Sequence, residues 1–171
     1  MPRPRLDQTD IEILKYLVKD ARISQRALAR EIGMSPPAIA DRIARLEADG
    51  VIQGYGASID LTRLGLELTV LVGIIAEASK GQRELAQDLL AIPEVEQVEI
   101  VTGSPDLRIR LRVRDQAHLN EVFFDHMLAL PGIRHTDSSL ALYTYRPANF
   151  ALRALASLFD SAATGDDVEG Q

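Results

Sequence analysis

The chain has 171 residues, 46% of them hydrophobic, and a formal net charge of −6, enough for one ordinary domain or two small ones around a real core. It contains no cysteine, which excludes disulfides, thiolate metal sites and cysteine nucleophiles together. It has no apolar run long enough to span a membrane and no secretory leader in its short, charged start, so the expected setting is the cytoplasm, away from any membrane.

From Asp7 onward, Ile11, Leu14, Leu17 and Val18 recur at helical spacing, and the acid pair Asp7 and Asp10 has the spacing of a helix N-terminus. This predicts a first helix ending near Asp20. Ser24 is placed to cap a second helix through Ala27, Leu28, Ala29 and Ile32, and Gly33 suits the left-handed residue that closes it. Ser35 then caps a third helix with Pro36 in its first position and Ile39, Ile43 and Leu46 as a buried stripe, running to Gly50. Two short helices joined by a glycine-containing turn make a helix-turn-helix. Residues 51–64 mix β-formers with Gly54 and Gly56 and read as a short strand and linker.

The second half has a different pattern. Residues 66–76 are a continuous apolar run of strand length, and residues 82–91 carry helical spacing through Leu85, Leu89 and Leu90 before Pro93. Residues 95–102 and 107–114 form a hairpin about a turn at 103–106. Residues 116–130 make a helix closed by Pro131 and Gly132, and residues 133–146 a last strand. Strand, helix, strand, strand, helix, strand is the split βαβ order of the ferredoxin-like fold. In residues 148–159, Phe150, Leu155, Leu158 and Phe159 are in rough helical register, fit either to pack on a neighbouring subunit or to fray, and the acidic tail 165–171 reads as disordered. The expected class is α+β: a winged helix-turn-helix domain over 1–52, a strand and linker over 53–65, a ferredoxin-like βαββαβ domain over 66–146, and a C-terminal helix and acidic tail over 147–171.

Charge is unevenly spread. Residues 1–60 hold nine Lys/Arg against nine Asp/Glu, so the acidic excess lies in the remainder, which is a poor surface for phosphate. A recognition helix needs small residues for close approach to the major groove and a few long donors. The third helix offers Ser35, Pro37, Ala38, Asp41, Arg42 and Arg45, while Gln25 and Arg26 open the second helix, where backbone phosphates are met. The alternative is that Arg42 and Arg45 pair with Asp41, Glu47 or Asp49 on a solvated helix.

The segment Leu6-Asp7, Asp10, Ile13-Leu14, Leu17, Asp20-Ala21-Arg22-Ile23-Ser24, Leu28-Ala29, Gly33-Met34-Ser35, Arg42-Ile43, Arg45-Leu46-Glu47 and Gly50-Val51-Ile52 resembles the Lrp/AsnC family, the feast/famine regulators. The resemblance continues to about Arg146 and includes the turn Gly103-Ser104-Pro105-Asp106. It implies a transcription regulator that binds double-stranded DNA, dimerises through apposed sheets, assembles into larger rings or discs, and holds an amino-acid effector between dimers. By position, the effector loop is Val101, Thr102, Gly103, Ser104, Pro105, Asp106 and Leu107, with Gly103 and Asp106 matching the family's Gly-x-x-Asp turn and Thr136 and Ser138 its polar pair. Ser104 and Pro105 depart from the aromatic or apolar residues often found inside that turn.

An amino acid needs an acceptor for its ammonium and donors for its carboxylate. Asp106 suits the first role, and the Gly103 amide, Thr136 and Ser138 the second. The same Gly-x-x-Asp is also a sound hairpin turn in which Asp106 binds nearby amides. Along the third strand Arg108, Arg110, Arg112 and Arg114 alternate with apolar residues and share one sheet face. Without exposed aromatics this is a poor RNA-stacking sheet. If Thr102 pairs with Leu107, Glu99 faces Arg110 and Gln97 faces Arg112, an ion-paired face suited to a dimer interface. His118, His126 and His135 have no metal-ligand spacing, and no phosphate loop or nucleophile elbow occurs. The expectation is a regulator rather than an enzyme, without metal or cofactor beyond its effector. Two rivals remain, a sensing subunit that regulates an enzyme and an architectural DNA-binding protein without effector.

Overall fold

A computed structural model describes residues 5–160, with side chains as far as Ser157. The expectations for Leu158, Phe159 and the acidic tail therefore lie outside the described residues. Two compact units are present: one from residues 5–58 together with 145–160, the other Ile59–Thr144.

The first unit begins with α1 (Gln8–Lys19), where the Asp7 carboxylate accepts the Asp10 amide at 2.8 Å and the Asp10 carboxylate accepts the Asp7 amide at 3.1 Å, closing a capping box. Helix α2 (Gln25–Ile32) is capped by Ser24 and ended by Gly33 at φ 76°, and α3 (Pro36–Ala48) is capped by Ser35. Ile13, Leu14, Leu28, Ala29, Ile39, Ile43 and Leu46 form the core, and Leu155 of α6 (Phe150–Asp160) packs against it. The short strand expected in 51–64 is not formed. The Val51 and Ile52 amides turn back onto the Leu46 carbonyl, and residues 53–60 have no strand to pair with before a 3₁₀ turn at Leu61–Leu64.

The second unit is a four-stranded antiparallel sheet ordered β2-β3-β1-β4, from β1 (Leu68–Ala76), β2 (Val95–Ile100), β3 (Leu107–Val113) and β4 (Ile133–Leu140). With α4 (Gln82–Leu90) and α5 (Gln116–Asn120) it gives the βαββαβ order of the ferredoxin-like fold. Val70, Val72 and Ile74 of β1 and the four apolar residues of β3 meet Leu85, Leu89, Val122 and Met127 in one core. Each such Leu contributes about 1.5–3 kcal/mol of burial.

Three details differ from the sequence reading. The helix after β3 leaves α geometry at Glu121–Met127 and becomes a π-helix. Val122 and Met127 are both buried, and a five-residue step in an α-helix rotates about 140°, which would take Met127 off the core side. The wider turn, with Leu128 N–H donating to the Phe123 carbonyl, returns it. Strand β4 ends at Leu140 rather than near 146 because its partner β1 runs out at Leu68. The hairpin pairs Ile100 with Leu107, so Glu99 faces Arg108 and Gln97 faces Arg110, two residues from the expected register. His118 is buried and lies 3.1 Å from Glu94 through Nε2, while Nδ1 accepts the Arg114 amide.

Asp7 sits at a position that pH can probe. The Asp10 amide, then the Arg42 guanidinium, hold its carboxyl below the ordinary value of 3.8. A carboxyl held low in the fold supplies stability that is present above its unfolded value and is lost as pH falls through the lower folded one. Asp7→Asn, which preserves an N-capping side chain, is expected to show a shallower fall in Tm than the parent as pH is lowered below 3.8. Parallel melting curves would refute this.

Candidate functional site

On α3 the buried residues Ile39, Ile43 and Leu46 mark one side. The helical period places Pro37, Asp41, Ala44 and Ala48 on the other, and all four are exposed. Ser35 stands exposed at the helix start and Ala38 is half-buried beside it. This is a low surface of small side chains over the first two turns, able to approach a groove closely.

The two arginines of α3 are placed differently from expectation. Arg42 Nη1 donates to Asp7 at 2.6 Å and to Asp10 at 2.8 Å, and Arg45 Nη2 donates to Asp10 at 2.5 Å. Neither pairs with Asp41, Glu47 or Asp49, the partners weighed from sequence, and the acids come from α1 instead. Asp7 and then Asp10 raise the Arg42 pKa above its ordinary value. Gln25 and Arg26 are exposed at the start of α2. Arg30, which sequence reasoning passed over, lies one turn beyond Arg26, opposite buried Leu28. Among the described residues neither Arg26 nor Arg30 is ion-paired. Their four-residue spacing on the polar side of α2 was the available signal.

In the second unit, Val101 to Asp106 connect β2 to β3. The Asp106 amide donates to the Ile74 carbonyl at 2.9 Å, its Oδ2 accepts the Ala76 amide at 2.9 Å, and its Oδ1 accepts Gln82 Nε2 at 3.3 Å. Asp106 thus fastens the loop to the end of β1 and to α4, through partners distant in the chain and not through the nearby turn amides weighed from sequence. Gly103 takes φ 88°, Thr102 and Ser104 are exposed, and Val101 and Pro105 are half-buried. Leu107 is fully buried in the core and has no surface to offer a ligand, which corrects its assignment to the effector set.

Thr136 and Ser138 lie on β4, opposite Ile74 and Val72. Leu107 faces Ile74 from the other side, so β1 separates the loop from the polar pair by two strand spacings, roughly 9–10 Å. Two loop supports escaped the sequence reading. Gly73 leaves room for Pro105, whose Cγ would stand 2.9 Å from any Cβ there, and an isolated glycine inside a strand is the sign of such an approach. Gln82 gave no sign at all.

The sheet face away from the helices carries Leu71, Gly73 and Ile75 on β1, Arg108, Arg110 and Arg112 on β3, Gln97 and Glu99 on β2, and Asp137 and Ser139 on β4. Arg112 pairs with Glu96 at 2.9 Å. The face forms a shallow depression of about 500 Å³ lined by Leu71, Gly73, Pro105, Arg108, Arg110 and Asp137 among others. Among the described residues no three His, Asp or Glu side chains converge to hold a metal ion, and no helix is long and apolar enough to cross a membrane.

Residues 6–53 match the winged helix-turn-helix DNA-binding family description, and residues 69–149 match the Lrp/AsnC ligand binding domain. The leucine-responsive regulatory protein of Haemophilus influenzae is 31% identical over 147 residues, covering 85% of this chain and 89% of its own. The Bkd operon transcriptional regulator of Pseudomonas aeruginosa is 32% identical over 139 residues, covering 80% and 91%. Among solved structures, a Neisseria meningitidis transcriptional regulator in complex with L-methionine superposes with TM-score 0.77 at 26% identity, covering 84% of this chain and 94% of that one. The leucine response regulatory protein of Mycobacterium tuberculosis gives TM-score 0.72 at 30% identity, covering 84% and 97%. With a helix-turn-helix in one unit and a ferredoxin-like sensor in the other, both matched in order, the chain belongs to the Lrp/AsnC family of effector-modulated, DNA-binding transcriptional regulators.

Proposed function

We propose that α3 reads a DNA major groove with Ser35, Pro37, Ala38 and Asp41, that Gln25, Arg26 and Arg30 contact phosphates, and that Arg42 and Arg45 serve mainly to seat α3 on α1. The observation that carries this reading is the division of cations, with Arg26 and Arg30 exposed and, among the described residues, without an ion pair, while Arg42 and Arg45 are held by acids. In this role the protein works where the chromosome is, by binding rather than by catalysis.

The uncovered sheet face is the proposed contact with a second copy. Arg108 and Arg110 run along its centre, with Glu99 on one flank and Asp137 on the other, so a two-fold operation brings basic centre against acidic flank. Two helix-turn-helix units then meet two half-sites on one DNA. Dimers are proposed to assemble further, with an amino acid bound where the loop of residues 101–106 and the hydroxyls of Thr136 and Ser138 face a neighbouring dimer. The L-methionine complex of the Neisseria relative supports an amino acid as the effector class. Asp106, already committed to Ala76 and Gln82, frames the site, and Thr102, Ser104 and the Gly103 amide remain for ligand contact. Because β1 separates the loop from Thr136 and Ser138, a site using both is completed across an assembly contact, and the effector thereby shifts the assembly equilibrium.

Two measurements test this. Replacing Arg26 and Arg30 with alanine is expected to weaken binding to matched and mixed-sequence duplexes alike, and to lower the slope of log K against log salt by about 2, near 0.9 per lost phosphate contact. Unchanged affinity and slope in a folded variant would remove α2 from the interface. For the sensor, a thermal-shift screen of the twenty amino acids should find at least one that stabilises the protein. Gly73→Ala, by displacing Pro105, should raise the concentration of that amino acid needed for half the shift about tenfold. Stabilisation by none of the twenty, or an unmoved midpoint, would sink the loop assignment.

A further inference from the structure

We infer that Asp10 is a positioning residue for DNA recognition: from inside the N-terminal unit it grips both arginines of α3, setting that helix on α1 and withdrawing two positive charges from DNA. The inference rests on α3 being the recognition helix, and its test separates the two ideas.

Asp10 is 0% exposed and is the single buried acid among the described residues. A buried carboxylate survives only when paired and hydrogen-bonded. Among the described residues the Asp10 carboxylate accepts the Asp7 amide and Arg45 Nη2 on Oδ2, and Arg42 Nη1 on Oδ1. Capping α1 does not require this burial, since Asp7 already receives the Asp10 amide. What Asp10 adds is a directional link over more than thirty residues of chain to two side chains three apart on α3.

That link does two things apolar packing does not. Contacts of Ile39, Ile43 and Leu46 are non-directional, whereas two guanidinium groups converging on one carboxylate define the rotation and height of α3 against α1. Asp7 and Asp10 also balance the charges of Arg42 and Arg45, whose side chains keep 26% and 49% of their exposure. Unbalanced arginines there would bind phosphate on any sequence. Asp10 therefore favours sequence discrimination over general affinity.

Asp10→Asn keeps the shape and an acceptor for the Asp7 amide while removing the charge. The full-length variant is compared with the parent on a mixed-sequence duplex and on the sequence the parent enriches from a random pool, across a salt series. Expected are tighter binding to the mixed duplex, a log–log salt slope steeper by about 1–2 as freed arginines reach phosphates, and discrimination between the duplexes reduced about tenfold. The added slope should vanish in Asp10→Asn/Arg42→Ala/Arg45→Ala. A folded Asp10→Asn protein with unchanged or shallower slope and unchanged discrimination overturns the inference. If neither parent nor variant discriminates while the slope still steepens, the recognition-helix reading fails and the charge-withdrawing role stands. Should Asp10→Asn not fold, the half-exposed Asp7→Asn replaces it, with a smaller steepening expected and its absence equally fatal.

Discussion

One-sided burial governs both units. Helix α3 and the four-stranded sheet each bury one face, through Ile39, Ile43 and Leu46 in the first case and through the alternate residues of β1 and β3 in the second. The opposite faces are therefore left uncovered: Pro37, Asp41 and Ala44 on the helix, and a row of arginines with flanking acids on the sheet. The hydrophobic effect supplies the cohesion without direction, and the polar residues that remain outside decide what each surface meets.

Electrostatics then sort those surfaces. A net charge of −6 does not oppose DNA binding, because a phosphate backbone responds to local cations. Within the first unit the cations fall into two groups. Among the described residues Arg26 and Arg30 on α2 have no ion pair, whereas Arg42 and Arg45 are absorbed by Asp7 and Asp10. In the second unit the same chemistry serves structure: Lys80, its pKa raised by Asp88, is tied to that acid, and Arg112 to Glu96. For pairs as sheltered as these the cost of desolvation offsets much of the Coulombic gain, so their consequence here is orientation and charge balance more than stability.

The loop between β2 and β3 follows from a similar economy of contacts. Asp106 spends its amide and both carboxylate oxygens on β1 and α4, while Thr102, Gly103 and Ser104 stand exposed beside it. Gly73 makes this possible by clearing space for Pro105. The loop is thus built from the strand beneath it, and Thr136 and Ser138 stand on the far side of that strand.

Much of this was legible beforehand. Caps at Asp7, Ser24 and Ser35, the Gly33 stop, and the strand and helix order of the second half rest on local rules, in which a residue and its neighbours within one or two turns decide the outcome. Family membership was legible for the same reason, as a run of such signals in order. The hairpin register shifted because it depends on where Asp106 is fastened to β1, thirty residues earlier in the chain. The π-helix arose because Val122 and Met127 both had to reach a core built by distant strands, and the stretch 51–60 stayed without a strand because pairing needs a partner that local sequence cannot supply. Most consequentially, composition marked Arg42 and Arg45 as cations on a helix, but only the fold brings a buried carboxylate from α1 against them. Sequence by itself determined the elements, their order and the family, since these are set by local propensity and periodicity. The tertiary structure alone decided which charges are free and which are held, because electrostatic pairing depends on distance in space, not along the chain.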